Sequence, residues 1–129
     1  MRFRVQKLIR DRLPAIMRAQ GLAVFDRRLS DTEFVAALKD KLLEEAQEAH
    51  EAASTAELID ELADVMEVIH ALASASGVSL DDIEARRQAK RVERGGFDAR
   101  VFNAAVEASD GSPAAEYYLA RPTQYPRED

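Results

Sequence analysis

Two short carboxylate runs hold the residues most able to do chemistry: Glu44-Glu45-Ala46-Gln47-Glu48 and Glu61-Leu62-Ala63-Asp64. On a helix, at about 100° per residue, Glu45 falls inside the stripe made by Leu38, Leu42 and Ala49, with Glu48 roughly 60° to one side. In the second run Glu61 falls among Val65, Val68 and Leu72, and Asp64 lies roughly 60° further round. A charge placed in an apolar face is costly unless it is paired or bound to a metal. Positions i and i+3 share one helix face, so two such pairs on adjoining helices can converge on a single point. Four oxygen donors without cysteine or histidine suit a hard cation, Mg²⁺ or Mn²⁺, rather than zinc. Mg²⁺ retains waters and binds phosphate readily, so the matching substrate is a polyphosphate. Solvated helix faces explain the other acidic residues, Glu51, Glu57, Asp60 and Glu67.

The elements that position these residues are marked by helix-start chemistry. Ser30-Asp31-Thr32-Glu33 and Ser54-Thr55-Ala56-Glu57 read as capping boxes, and Ser79 precedes an acidic first turn at Asp81-Asp82. Gly21, Gly77 and Gly95-Gly96 supply stops. The spacing predicts helices over 8–20, 31–53, 55–76 and 80–94, with Pro14 dividing the first. The two long helices, separated by a few residues, predict an antiparallel hairpin. Its core stripes are Phe34, Val35, Leu38, Leu42, Ala46 and Ala49 on one helix, and Leu58, Leu62, Val65, Met66, Ile69 and Ala73 on the other. One hairpin cannot enclose its own apolar faces, so the fourth helix or a second subunit must cover them. A homodimer or homotetramer is the economical solution. The expected fold is therefore all-α, a helical bundle built on that hairpin and completed by oligomerisation. Residues 1–103 form the expected domain; 104–129, with Asp110-Gly111-Ser112, Pro113, Pro122 and Pro126, form an expected irregular tail.

Composition agrees. The chain has 129 residues, 47% of them apolar, few glycines, prolines and aromatics, and no cysteine, which excludes disulfides and cysteine-based metal sites. No secretory signal and no membrane-length apolar run is present, so the expected compartment is the cytoplasm, with no membrane partner. The net charge of −6 argues against nucleic-acid binding. Acidic residues crowd positions 40–67 while cations cluster at 2–12 and 86–100, a distribution suited to carboxylates holding a cation and basic residues meeting an anion.

At these residues the sequence resembles the MazG-like all-alpha nucleoside triphosphate pyrophosphohydrolases, whose signature is EExxE on one helix and ExxD on the next. It is most similar to a house-cleaning branch related to phosphoribosyl-ATP pyrophosphohydrolase. That branch opens with a segment matched by Lys7-Leu8-Ile9-Arg10-Asp11-Arg12-Leu13-Pro14 and ends its last helix with one matched by Lys90, Arg94-Gly95-Gly96-Phe97 and Arg100. The resemblance covers about residues 5–102. It implies Mg²⁺-dependent hydrolysis of a nucleotide, a nucleoside triphosphate of common or modified base, between its α- and β-phosphates. The products would be a nucleoside monophosphate and pyrophosphate. It carries over Glu45, Glu48, Glu61 and Asp64 as metal ligands, and Glu44 as the residue that orients or deprotonates the attacking water.

Lys90, Arg94 and Arg100 are candidates for binding phosphate, or else cations that end a helix before a glycine cap. Lys7, Arg10 and Arg12 are candidates for phosphate or for a neighbouring subunit, and Lys41 reads as a charge partner of Glu45. Glu67-Val68-Ile69-His70 is a single ExxH, too little for a di-iron carboxylate bundle, and His50 reads as a surface residue. Two alternatives stand beside the main reading: a non-catalytic helical interaction module, and hydrolysis of phosphoribosyl-ATP itself.

Overall fold

The Ser30 hydroxyl accepts the Glu33 N–H at 3.3 Å, and the Glu33 carboxylate accepts the Ser30 N–H at 3.2 Å. This reciprocal box satisfies two donors that a helix start otherwise leaves orphaned. It launches the first of two long helices. Described over residues 1–129, the computed structural model contains five helices and no strand: α1 Leu13–Ala19, α2 Asp31–Glu51, α3 Thr55–Ala75, α4 Leu80–Arg94 and α5 Pro113–Leu119. None is long and apolar enough to cross a membrane.

The start of α3 differs in detail from the expected box. Ser54 Oγ accepts the Glu57 N–H at 3.2 Å, but the Glu57 carboxylate reaches one residue further back, to the Ala53 N–H at 2.9 Å. The helix stops at Gly77, whose φ of +69° lets Val78 N–H return to the Ala73 carbonyl at 2.9 Å. A side chain would strain that left-handed backbone. The first helix is shorter than the expected 8–20. Pro14 sits in its opening turn, where a missing N–H is harmless, so residues 8–12 precede the helix instead of extending it.

The chain separates into two compact units, Met1–Glu93 and Arg94–Asp129. In the first, α2 and α3 pack along one another as the expected antiparallel pair, and no other helices pack so extensively. Leu38, Val68 and Ala73 are buried between them, bordered by half-buried Phe34, Val35, Leu42, Ala49, Val65, Ile69 and Leu72. Leu38 is only 2% exposed, so Leu38→Ala would cost about 2–5 kcal/mol. The expected core was too wide. Ala46, Leu58, Leu62 and Met66 are exposed, because α3 meets α2 mainly through its Val65/Val68/Leu72 face and the Leu58/Leu62/Met66 stripe is centred about 90° away. Nor does α4 cover that stripe, since none of its residues is buried.

The second unit contains an element the sequence reading missed. Pro113 begins α5 rather than breaking the chain, with Ser112 Oγ accepting the Ala115 N–H at 3.1 Å. Tyr118 packs edge-on against both Tyr117 and Tyr125, and the Arg121 guanidinium lies 3.9 Å from the centre of the Tyr117 ring.

Candidate functional site

The antiparallel pairing brings the two i,i+3 carboxylate pairs face to face. Glu45 and Glu48 on α2 and Glu61 and Asp64 on α3 each present an oxygen, and the four oxygens lie within 4.8 Å of one another. Their surroundings differ. Glu45 is 5% exposed, Glu61 and Asp64 are half-buried, and Glu48 opens to solvent.

Two of the buried carboxylate oxygens, Glu45 Oε2 and Glu61 Oε2, have no hydrogen-bond partner. An unsatisfied buried acceptor costs about 1–3 kcal/mol, and more when charged. Here two such atoms belong to one cluster of hard oxygen donors. That donor set fits a divalent cation with oxygen preference, which would offset both the missing partners and the like-charge repulsion. Burial raises the Glu45 pKa above the ordinary carboxylate value; Lys41 opposes this, and neighbouring Glu48 adds to it.

Cations surround the cluster on one side. Lys41 Nζ lies 3.1 Å from Glu45 Oε1 and 3.3 Å from Glu44 Oε1, which is the charge-partner role expected of it. Burial alone would lower the Lys41 pKa, but Glu45 and Glu44 outweigh it and hold the ammonium above its usual value. Glu44 is not one of the four converging carboxylates. It pairs with Lys41 and with Lys7 Nζ at 3.1 Å, and these ammonium groups overcome its partial burial and lower its pKa. Arg10 donates to Asp64 Oδ1 at 2.6 Å. Lys7 and Arg10, read from the sequence as phosphate candidates, thus sit against carboxylates of the site. Their i,i+3 spacing was visible, but nothing in the sequence tied that segment to α2 and α3.

The remaining candidates are placed differently. Lys90 is exposed on α4, near Arg86 and Arg87, while Arg94 and Arg100 belong to the second unit. Arg100 adopts a φ of +58° and its N–H donates to the Phe97 carbonyl at 3.0 Å. His50, Glu67 and His70 are exposed, so the single ExxH does not enter the cluster.

The model of the phosphoribosyl-ATP pyrophosphohydrolase family matches residues 5–91, a span that includes every carboxylate of the site. The chain belongs to the phosphoribosyl-ATP pyrophosphohydrolase family. It is therefore a pyrophosphohydrolase of the MazG-like all-alpha superfamily, a hydrolase acting on phosphoric anhydrides. No curated protein and no solved structure matches it. Divalent-metal dependence is general in the family, which agrees with the donor set assembled here.

Proposed function

We propose that the protein hydrolyses a nucleoside triphosphate between its α- and β-phosphates, releasing a nucleoside monophosphate and pyrophosphate, with Mg²⁺ held by Glu45, Glu48, Glu61 and Asp64. The observation that carries this reading is the pair of buried, unpartnered oxygens on Glu45 and Glu61 inside the four-carboxylate cluster. When bound, the cation supplies charge neutralisation for the phosphoryl oxygens and lowers the pKa of water.

The chain's own groups do the remaining work. Lys41 holds Glu45 in place through their 3.1 Å contact. Glu44, paired with Lys41 and Lys7 beside the cluster, is the residue that orients or deprotonates the attacking water. Catalysis of this kind rests on positioning and electrostatics more than on covalent chemistry.

Phosphoribosyl-ATP is the second reading, favoured by the family match over residues 5–91. Both substrates present the same anhydride, so the site chemistry is shared. Pyrophosphate release measured with Mg²⁺ over a panel of nucleoside triphosphates, modified ones and phosphoribosyl-ATP separates them. Turnover of phosphoribosyl-ATP alone selects the second reading, and no release from any substrate overturns both.

The assembly we propose is a homo-oligomer sealed by Leu58, Ile59, Leu62 and Met66 of α3 with Leu43 of α2, all large apolar residues at least 39% exposed. Sedimentation at micromolar concentration should give a species heavier than the 14.3 kDa chain.

A further inference from the structure

The segment before α1 is basic and non-helical, yet it does not drift free. Leu8 and Ile9 are half-buried, and the cations on either side of them grip the site: Lys7 on Glu44 at 3.1 Å and Arg10 on Asp64 at 2.6 Å. Both cationic side chains are themselves more than half exposed. Exposed ion pairs of this kind contribute little to stability, about 0–1 kcal/mol each, so fold maintenance is a weak reason for them.

Charge gives a better one. Glu44, Glu45, Glu48, Glu61 and Asp64, when ionised, are faced by Lys7, Arg10 and Lys41, which leaves two negative charges uncompensated. That is the charge of one divalent ion. A cation held by Asp64 would share that carboxylate with the guanidinium that lies 2.6 Å from it, and the two positive groups would repel. A nucleotide polyphosphate reverses the balance by bringing excess negative charge to the same place. The Arg fork matches phosphate oxygens as well as it matches a carboxylate, and Lys serves as a point charge.

We propose that Arg10, with Lys7 beside it, is an exchange residue: a counter-ion of Asp64 in the metal-free protein that is transferred to the substrate's phosphates once a divalent cation takes Asp64. This inference rests on the metal-site reading above. It gives the segment before α1 a role in substrate binding and makes metal and polyphosphate binding mutually reinforcing, since each relieves the charge the other leaves behind.

The test is titration calorimetry on the full chain: MgCl₂ into protein, then inorganic pyrophosphate into Mg²⁺-saturated protein, for wild type, Arg10→Gln and Lys7→Gln. Arg10→Gln should bind Mg²⁺ about threefold to fivefold more tightly, the scale of one exposed ion pair. The same variant should bind pyrophosphate about tenfold more weakly, a charge-assisted contact having been lost. Lys7→Gln should follow with smaller changes of the same signs. The opposite signs are the signature. Weakening of both ligands would make Arg10 a structural support, and tighter Mg²⁺ with unchanged pyrophosphate would leave it fixed on Asp64; either overturns the exchange. Glu45→Gln separates the two readings. If wild type binds Mg²⁺ and Glu45→Gln does not, the metal site stands whatever Arg10 does; if Glu45→Gln binds as wild type, both ideas fall.

Discussion

Glu45 on α2 and Glu84 on α4 are both helical glutamates with a cation one turn away, and they behave in opposite ways. Glu84 is exposed, accepts from Arg87 at 2.6 Å and 2.8 Å and from Gln88 at 3.1 Å, and its pKa falls to about 2. Glu45 lies 3.1 Å from Lys41, yet burial beside Glu48 raises its pKa, and one of its oxygens is left without a partner. Charge density does not mark the cation site, since α4 is the more polar helix and buries nothing. What separates them is whether solvent and nearby donors satisfy the carboxylate. A satisfied glutamate makes a soluble helix; an unsatisfied, enclosed one makes a place for a cation.

The largest effect that could break this contrast is on turnover. Glu45→Gln and Asp64→Asn should each lower pyrophosphate release by about a hundredfold or more, roughly 3 kcal/mol of activation free energy. The amide keeps the size of the carboxylate and loses its charge. Glu67→Gln, exposed on α3 outside the cluster, should turn over as wild type does. Equal loss in all three would mean that any acidic change on the hairpin is damaging and that burial has no special meaning.

The second contrast is apolar. The hairpin exposes Leu58, Leu62 and Met66 along one stripe, while on α4 Val92 stands 89% exposed near the helix's C-terminal end. Leu62→Lys should shift the sedimenting species toward the monomer, and Val92→Lys should not. A third effect is on stability. Without metal, Glu45→Gln should raise the melting temperature by about 2–4 °C, because it removes a charge from a partly apolar, like-charged site. With Mg²⁺ the order should invert, as wild type gains binding energy that the variant cannot.

Much of this contrast was legible in the sequence. The i,i+3 spacing and the intrusion of Glu45 and Glu61 into apolar stripes depend only on helix periodicity, and helix starts at Ser30 and Ser54 depend on local caps, so both could be read directly. The face of α3 that meets α2 could not. Its apolar residues span two adjacent stripes, and only tertiary packing decides between Val65/Val68/Leu72 and Leu58/Leu62/Met66. Pro113 misled for the opposite reason, since a proline after a capping serine starts a helix as readily as it ends one. The grip of Lys7 and Arg10 on the site spans more than thirty residues of chain, and no local pattern encodes it.

The smallest effect concerns the satisfied glutamate. Because the folded-state pKa of Glu84 is depressed from 4.5 to about 2, its ion pair stabilises the fold above about pH 4.5 and loses that contribution as pH falls toward 2. Glu84→Gln should therefore melt about a degree or less below wild type at pH 7, with the gap closing in acid and turnover unchanged. A gap that widened in acid would contradict the sign.

Direct metal binding tests, without reference to any substrate, whether the unpartnered oxygens of Glu45 and Glu61 receive a divalent cation. Free Mn²⁺ measured by electron paramagnetic resonance, as protein is added, gives the affinity for wild type, Glu45→Gln, Glu61→Gln and the exposed control Glu84→Gln. Wild type and Glu84→Gln should bind saturably, and affinity should be weakened about tenfold or more in Glu45→Gln and Glu61→Gln. Equal affinity in all four proteins would contradict the metal site.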